Sequence, residues 1–221
     1  MTYKPPSRAS GGAPPAGSAA LRGRAALRVP VRVDNDANLA ALAEYTSGVA
    51  AGTPYLVYLT GEVGVGGGII LGGELLRGAD GFSGEVGHLQ VDPNGAQCGC
   101  GRIGCWETKV GLAALVGAAR PEQAYGLPGM PVPDPGERVA DLARGLASGD
   151  RRMTTAVAQV GTWLGLGGSI LANLFNPRVI VIGGYFASLA QWLLPHAQDQ
   201  LQRLVVAAPA ARCRSVASTL G

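Results

Sequence analysis

Residues 85 to 107 read EVGHLQVDPNGAQCGCGRIGCWE, and this stretch carries the strongest signal in the chain. It contains one histidine and three cysteines at the spacing of metal ligands, in a glycine-rich segment that can fold back on itself. Three thiolates and one imidazole make a closed tetrahedral ligand set that suits zinc. We therefore expect a structural zinc bound by His88, Cys98, Cys100 and Cys105.

Packed free thiols and a single disulfide are the two alternatives to zinc, because cysteine is often simply a small buried hydrophobic residue. Three cysteines within eight residues make packing alone a weak explanation. In a chain without a secretory signal, such a cluster favours metal over a disulfide. Cys213 is far from the cluster, and we predict a lone buried thiol there.

The segment SGEVGHLQVDPNGAQCGCGRIGCWE, residues 83–107, closely resembles the zinc-binding signature of the ROK family of sugar kinases and sugar-responsive transcriptional repressors. VRVDNDANLAALAE, residues 31–44, resembles the family's sugar-site strand and helix, and NLFNPRVIVIGG, residues 173–184, resembles its adenosine-side strand. This resemblance implies the actin-like ATPase (ribonuclease-H-like) fold, a monosaccharide ligand and a homo-oligomer.

The order of strand-like and helical patterns by itself predicts only the α/β class. Predicted strands are 29–33, 55–60, 67–71, 74–76 after a Gly72-Gly73 turn, and 178–182; predicted helices are 36–48, 110–119, 137–147, 153–174 and 189–206.

Residues 1–28 are rich in Pro, Gly, Ser, Ala and Arg and have no apolar periodicity. This composition predicts disorder, either as a flexible linker or as a stretch outside the native reading frame. The resemblance implies that residues 29–221 form a ROK domain with an incomplete first domain, without the family's Asp-Gly-Gly-Thr phosphate loop. DNA would then be bound only through a segment absent from this chain.

Composition excludes some classes of function. The 221 residues are 47% hydrophobic, which is enough to bury a core, and the net charge of +3 comes from scattered basic residues that do not favour nucleic-acid binding. No run of eighteen apolar residues and no apolar signal segment occurs. We therefore predict a cytoplasmic protein without a membrane partner.

Asn35 and Asp36 follow a predicted strand at the start of a helix. From its position alone, Asp36 is a helix cap that accepts the exposed amide hydrogens of the first turn. The resemblance implies instead that Asp36 is the general base of a kinase, taking the proton from the sugar's primary hydroxyl, and that Asn35 binds the sugar ring.

The resemblance also assigns Glu85, His88 and Glu107 to sugar binding. Each carboxylate can accept from two hydroxyl groups, and zinc on one nitrogen of His88 would leave the other free to donate. The alternative for both glutamates is solvated surface charge. For Trp106, packing beside the loop is favoured over stacking on a sugar, and His196 is predicted at the surface.

Gly64, Gly66 and Gly67 form a weak candidate phosphate loop, which a tight turn explains equally well. ROK kinases usually carry Gly-Thr-Gly here, whereas this chain has Glu62-Val63-Gly64 and resembles the family's repressors. An anionic Glu62 should repel a triphosphate. The resemblance also leads us to expect that Tyr185, where kinases carry glycine, hinders a nucleotide.

Three functions remain open. The favoured one is the zinc-containing sugar-binding part of a ROK transcriptional regulator. The alternative is an ATP-dependent hexose kinase using ATP and magnesium, and the third is a non-functional fragment. Phosphoryl transfer needs a positioned base and electrostatic handling of the phosphates together. The chain matches the family in the positioned base, Asp36, and departs from it in the residues that would handle the phosphates.

Overall fold

A computed structural model describes residues 33–123, 134–206 and 213–220. The elements after Asp36 belong to one compact unit, Ala37–Gly221. The predicted disordered segment at 1–28 lies outside the described residues, as does the strand predicted at 29–33 apart from Val33.

One five-stranded sheet forms the centre of this unit. Its order is β3-β2-β1-β4-β5; β1, β2 and β3 form an antiparallel meander, whereas β4 is parallel to β1 and β5 is parallel to β4. The centres of β1 and β4 are continuously buried, as expected for strands covered on both faces. The predicted α/β class is confirmed. The strands are β1 (Tyr55–Gly61), β2 (Val65–Leu71), β3 (Glu74–Leu75), β4 (Val179–Gly184) and β5 (Arg214–Ala217).

Seven α-helices accompany the sheet in the described part of the chain. Asp134 and Asp150 cap two of them through backbone N–H groups of the first turn, so these helices begin two residues earlier than predicted. None of the described helices has the length and hydropathy that a membrane crossing requires. The helices are α1 (Asp36–Thr46), α2 (Glu107–Val110), α3 (Leu112–Ala119), α4 (Pro135–Ala147), α5 (Arg151–Phe175), α6 (Tyr185–Ser188) and α7 (Ala190–Leu204).

Two predicted helices need correction. The helix predicted at 110–119 is broken at Gly111, whose extended backbone (φ −68°, ψ 157°) separates α2 from α3. The helix predicted at 189–206 is not the last element, because β5 follows it and pairs with β4. That strand has four residues and no fully buried side chain, so it lacks the apolar run by which buried strands are recognised.

The long helix α5 packs closely against α7 because it has glycines on the contacting face. A Cβ at Gly165 would lie 2.8 Å from the Cβ of Gln200, and one at Gly161 would lie 2.8 Å from the Cβ of His196. The absent side chains allow the two helix backbones to approach. These internal glycines therefore allow close packing of α5 and α7. The loop that precedes α2 packs against α5.

Candidate metal centre and its surroundings

The cysteine loop, residues 90–105, folds back on itself as the glycine content predicts. Isolated antiparallel bridges pair Gln90 with Cys105 and Gln97 with Ile103. Gly101 (φ 87°) and Gly104 (φ 71°) adopt left-handed backbone conformations that favour glycine. The fold of the loop therefore depends on turn geometry at these two positions, and it brings cysteines that are separated in sequence to one point.

The four predicted metal ligands meet at that point. One ligand atom from each of His88, Cys98, Cys100 and Cys105 lies within 4.8 Å of all the others. The Sγ atom of Cys98 is 3.7 Å from Nδ1 of His88, and the Sγ atoms of Cys100 and Cys105 are 3.6 Å apart. All four cysteines in the chain are free thiols, so the disulfide alternative is not realised.

The Cys98–His88 and Cys100–Cys105 separations fit a tetrahedral zinc ion, whereas the whole set, spread over up to 4.8 Å, would contract by up to about 1 Å around one ion. With Zn–S bonds of about 2.3 Å and Zn–N bonds of about 2.0 Å, tetrahedral ligands place two sulfurs about 3.8 Å apart and a sulfur and a nitrogen about 3.5 Å apart. The sulfur-to-sulfur and sulfur-to-nitrogen separations both agree to within a few tenths of an ångström. Nδ1 is the nitrogen of His88 that faces Cys98, which leaves Nε2 for another partner.

The thiols differ in their electrostatic surroundings. Burial raises the pKa of Cys98, and burial together with hydrogen bonding from Cys100 and Cys98 raises the pKa of Cys105 to about 12. The backbone N–H and then the side chain of Arg102 lower the pKa of Cys100 to about 6. Cys98 and Cys105 are therefore buried thiols beside the Cys100 thiolate. A divalent cation bound by the three sulfurs would replace the thiol protons and so stabilise the set.

Glu85 and His88 lie on a single 3₁₀ turn. Val86–His88 forms the turn, Glu85 stands at its N-terminus, and the backbone N–H of His88 donates to the Glu85 carbonyl (3.2 Å). The side chain of Glu85 is exposed and that of His88 is half-buried. The turn packs against β2 through Gly67, where a Cβ would lie 2.6 Å from a methyl group of Val86.

Glu107 is the first residue of α2 and lies directly beside the candidate metal ligands. Its Oε1 is 3.6 Å from Sγ of Cys98, and its Oε2 accepts a hydrogen bond from the backbone N–H of Val65 (3.1 Å). The side chain is half-buried, so the alternative of a fully solvated surface charge does not describe it. Sequence inspection did not anticipate the contact with Val65, because backbone donors leave no sequence signal.

Trp106 anchors the cysteine loop. Its side chain is fully buried, and its indole N–H donates to the carbonyl of Trp163 in α5 (2.8 Å). Packing beside the loop, the favoured prediction, is confirmed. Lys109 adds an ion pair with Asp92 of the loop (2.6 Å) and lies 4.8 Å from the ring centre of Trp163. No sequence pattern indicates this role of Lys109.

Asn35 and Asp36 lie just before and at the first residue of α1, and both side chains are exposed. Asp36 ends the first unit of the chain, whereas Glu85, His88 and Glu107 belong to the second. That these five side chains share one sugar site stays a prediction. Elsewhere, two minor predictions are confirmed, since His196 is exposed and Cys213 is buried.

The candidate phosphate loop is shorter than predicted. Strand β2 begins at Val65, so Gly66 and Gly67 lie within the strand, opposite Thr60 and Leu59 of β1. Gly64 alone of the three predicted residues lies in the turn between β1 and β2. This turn, residues 62–64, is closed by a hydrogen bond from the Glu62 N–H to the Gly64 carbonyl (2.9 Å). We call it the β1–β2 turn.

A cavity of about 530 Å³ lies between Glu62, Gly184, Tyr185 and one face of α4. Tyr185 is buried, its ring contacts Phe186 with centroids 4.6 Å apart, and its hydroxyl donates to the carbonyl of Val110. Burial raises the pKa of Tyr185, so it remains a neutral donor. The Tyr185 side chain, which we expect from the sequence to hinder a nucleotide, thus points toward the protein interior. The cavity beside it stays open. Sequence inspection missed the wall formed by Val139 and Ala143.

The family model for the ROK family matches residues 23–221. The glucokinase of Streptomyces coelicolor is 35% identical over 188 residues, covering 80% of this chain and 58% of that protein. This chain therefore spans little more than half the length of that relative.

Two solved structures share both fold and sequence with the chain. One is a ROK family glucokinase from Streptomyces griseus in complex with glucose and AMPPNP, with a TM-score of 0.75 and 32% identity, covering 91% of this chain and 67% of that one. The other is a ROK family transcriptional regulator, a homologue of the E. coli MLC protein, with a TM-score of 0.77 and 31% identity, covering 90% of this chain and 50% of that one. The predicted actin-like ATPase fold is confirmed, and the chain belongs to the ROK family.

Proposed function

We propose that this chain is the sugar-binding, zinc-containing part of a ROK transcriptional regulator. The observation that supports it most is the convergence of His88, Cys98, Cys100 and Cys105 with Glu107 in contact with the cluster. Zinc held by these four ligands would fix the imidazole of His88 with Nε2 available to a sugar hydroxyl. Glu85, exposed on the same turn, would add a second carboxylate acceptor.

A regulator is favoured over a kinase because of the chemistry of the β1–β2 turn. Glu62 and Val63 are both exposed there, and neither offers a hydroxyl donor to a phosphate. Glu62 also lines the cavity beside Tyr185, so it would place a negative charge next to any bound triphosphate. DNA binding would require a segment other than the residues described.

An ATP-dependent hexose kinase is the second candidate, and the cavity of about 530 Å³ favours it. That volume lies within the usual range for small-molecule sites. In a kinase, Asp36 would act as the general base toward the sugar's primary hydroxyl, with Asn35 on the ring, and magnesium would accompany ATP. The glucokinase relatives are consistent with this candidate.

Thermal melting with a panel of hexoses, with and without ATP and magnesium, separates the candidates when ADP release is followed in the same samples. The regulator proposal predicts a melting-temperature rise with sugar alone and no turnover. Glu107→Ala should abolish that rise, whereas Glu74→Ala, which removes an exposed carboxylate on β3, should preserve it. Sugar-dependent ADP release that Asp36→Asn abolishes would establish the kinase instead. A chain that responds to no sugar would contradict both.

A further inference from the structure

Glu107 contacts two parts of the molecule that are distant in sequence. One carboxylate oxygen lies 3.6 Å from Sγ of Cys98, a member of the metal cluster, and the other accepts the Val65 N–H at 3.1 Å. Val65 is the residue that follows the β1–β2 turn and begins β2. One half-buried carboxylate thus bridges the metal cluster and the first residue of β2.

Gly64 of the β1–β2 turn leaves space for this carboxylate. A Cβ at Gly64 would lie 2.5 Å from Oε2 of Glu107, so any larger residue there would push the carboxylate away from Val65. Within the turn, the Glu62-to-Gly64 bond is the one backbone hydrogen bond described, and Val63 is 63% exposed. The contact with Glu107 adds a side-chain acceptor at the residue where the turn meets the paired strands.

We infer that Glu107 is a positioning residue that makes the geometry of the β1–β2 turn depend on the occupancy of the metal cluster. Bound metal fixes Cys98 and the cysteine loop, the loop fixes the start of α2, and Glu107 then presents Oε2 to Val65. Removing the metal leaves the loop its backbone hydrogen bonds and the Trp106 anchor, but takes away the ligand bonds that hold Cys98 beside Glu107. The Val65 N–H then loses its acceptor. This inference goes beyond sugar binding and is tested without sugar.

Hydrogen exchange of the zinc-loaded chain, read on peptides that isolate the Val65 amide, tests the inference. Glu107→Ala should raise the exchange rate of that amide at least tenfold, because its acceptor is gone. Glu107→Gln should restore protection to near the wild-type level, because an amide oxygen still accepts a hydrogen bond. Chelation of the metal from the wild type should reproduce the effect of Glu107→Ala. Glu74→Ala is the matched control, because it removes an exposed carboxylate on β3, and it should leave Val65 protected.

Metal content is measured on every variant so that collapse of the cluster is distinguished from loss of the contact. If the Glu107→Ala variant loses its metal, the Gly64→Ala variant is measured in its place. The methyl group added at residue 64 displaces the Glu107 carboxylate without altering any metal ligand. Unchanged exchange in a metal-loaded variant would overturn the positioning role of Glu107. Unchanged exchange after complete chelation would overturn its link to the metal.

Discussion

The indole nitrogen of Trp106 donates a hydrogen bond of 2.8 Å to the backbone carbonyl of Trp163, and this bond ties the end of the cysteine loop to the middle of α5. The ring of Trp106 is fully buried and occupies the space over Gly167. The loop that carries three candidate metal ligands is thus attached by one aromatic side chain to α5, the longest of the described helices.

Gly167→Ala should therefore destabilise the protein, because the new methyl group would overlap the Trp106 ring. Overpacking of this kind costs about 1–3 kcal/mol, which corresponds to a melting-temperature fall of about 3–10 °C in a chain of this size. Gly117→Ala in α3 is the matched control, since nothing lies within 4 Å of its added Cβ. Helix propensity predicts that the control gains up to about 1 kcal/mol. Equal melting temperatures for the two variants would contradict the packing argument.

Zinc content should depend on the clustered cysteines and not on the distant one. We expect about one zinc per wild-type chain by elemental analysis. Cys105→Ser should lose the metal and lower the melting temperature by about 10 °C or more, because a buried ligand is removed and structural metal sites supply folding energy.

Cys213→Ser is the control for that experiment, because Cys213 is also buried but lies outside the cluster. It should retain zinc at the wild-type level. A wild-type chain without zinc, or a Cys105→Ser variant that keeps it, would contradict the assignment of the ligands.

The convergence of the candidate metal ligands is predictable from sequence because the three cysteines and the glycines that turn the chain lie within eight residues of one another. Local spacing then determines most of the geometry, and His88 adds one further constraint. The contacts that position the cluster were not predictable in the same way. The Trp163 carbonyl and the Val65 N–H are backbone groups brought in by tertiary packing, and no side-chain pattern marks them.

The same distinction explains the errors in the fold. Helix α5 is recognisable in the sequence because it is long and largely apolar, whereas β5 is not, because one exposed and three partly buried residues give no pattern. Gly111 was included in a continuous helix because an isolated glycine does not by itself indicate a break. At the break, a Cβ on residue 111 would lie 2.8 Å from the carbonyl oxygen of Glu107, so the site favours glycine.

Thiol reactivity in the metal-free protein should separate Cys100 from Cys213. The thiolate is the reactive form, and Arg102 lowers the pKa of Cys100 to about 6, whereas burial raises that of Cys213 to about 11. As the pH rises from 5 to 8, alkylation of Cys100 should increase and then level off above about pH 7. Alkylation of Cys213 should stay slow across this range.

Iodoacetamide labelling followed by peptide mass spectrometry measures both sites in one sample. Adding zinc should protect Cys100 and leave Cys213 unchanged, which makes Cys213 an internal control. If Cys100 reacted no faster than Cys213 at pH 7 in the metal-free protein, the lowered pKa and its attribution to Arg102 would both be wrong.

The charge on Glu62 should weaken nucleotide binding in the cavity beside Tyr185. Glu62 is exposed and lines that cavity, so a bound triphosphate would meet a like charge across solvent. Glu62→Gln should tighten binding of magnesium-ATP by about two- to fivefold at low salt, and the gain should shrink as salt screens the repulsion.

Titration calorimetry at two ionic strengths measures this effect, with Glu74→Gln on β3 as a variant of equal charge change outside the cavity. The control should leave the affinity for nucleotide unchanged. An equal gain in both variants would assign the effect to net charge rather than to the cavity. If Glu62→Gln did not bind magnesium-ATP more tightly, charge repulsion by Glu62 would no longer argue for a regulator over a kinase. The open cavity would then favour the kinase.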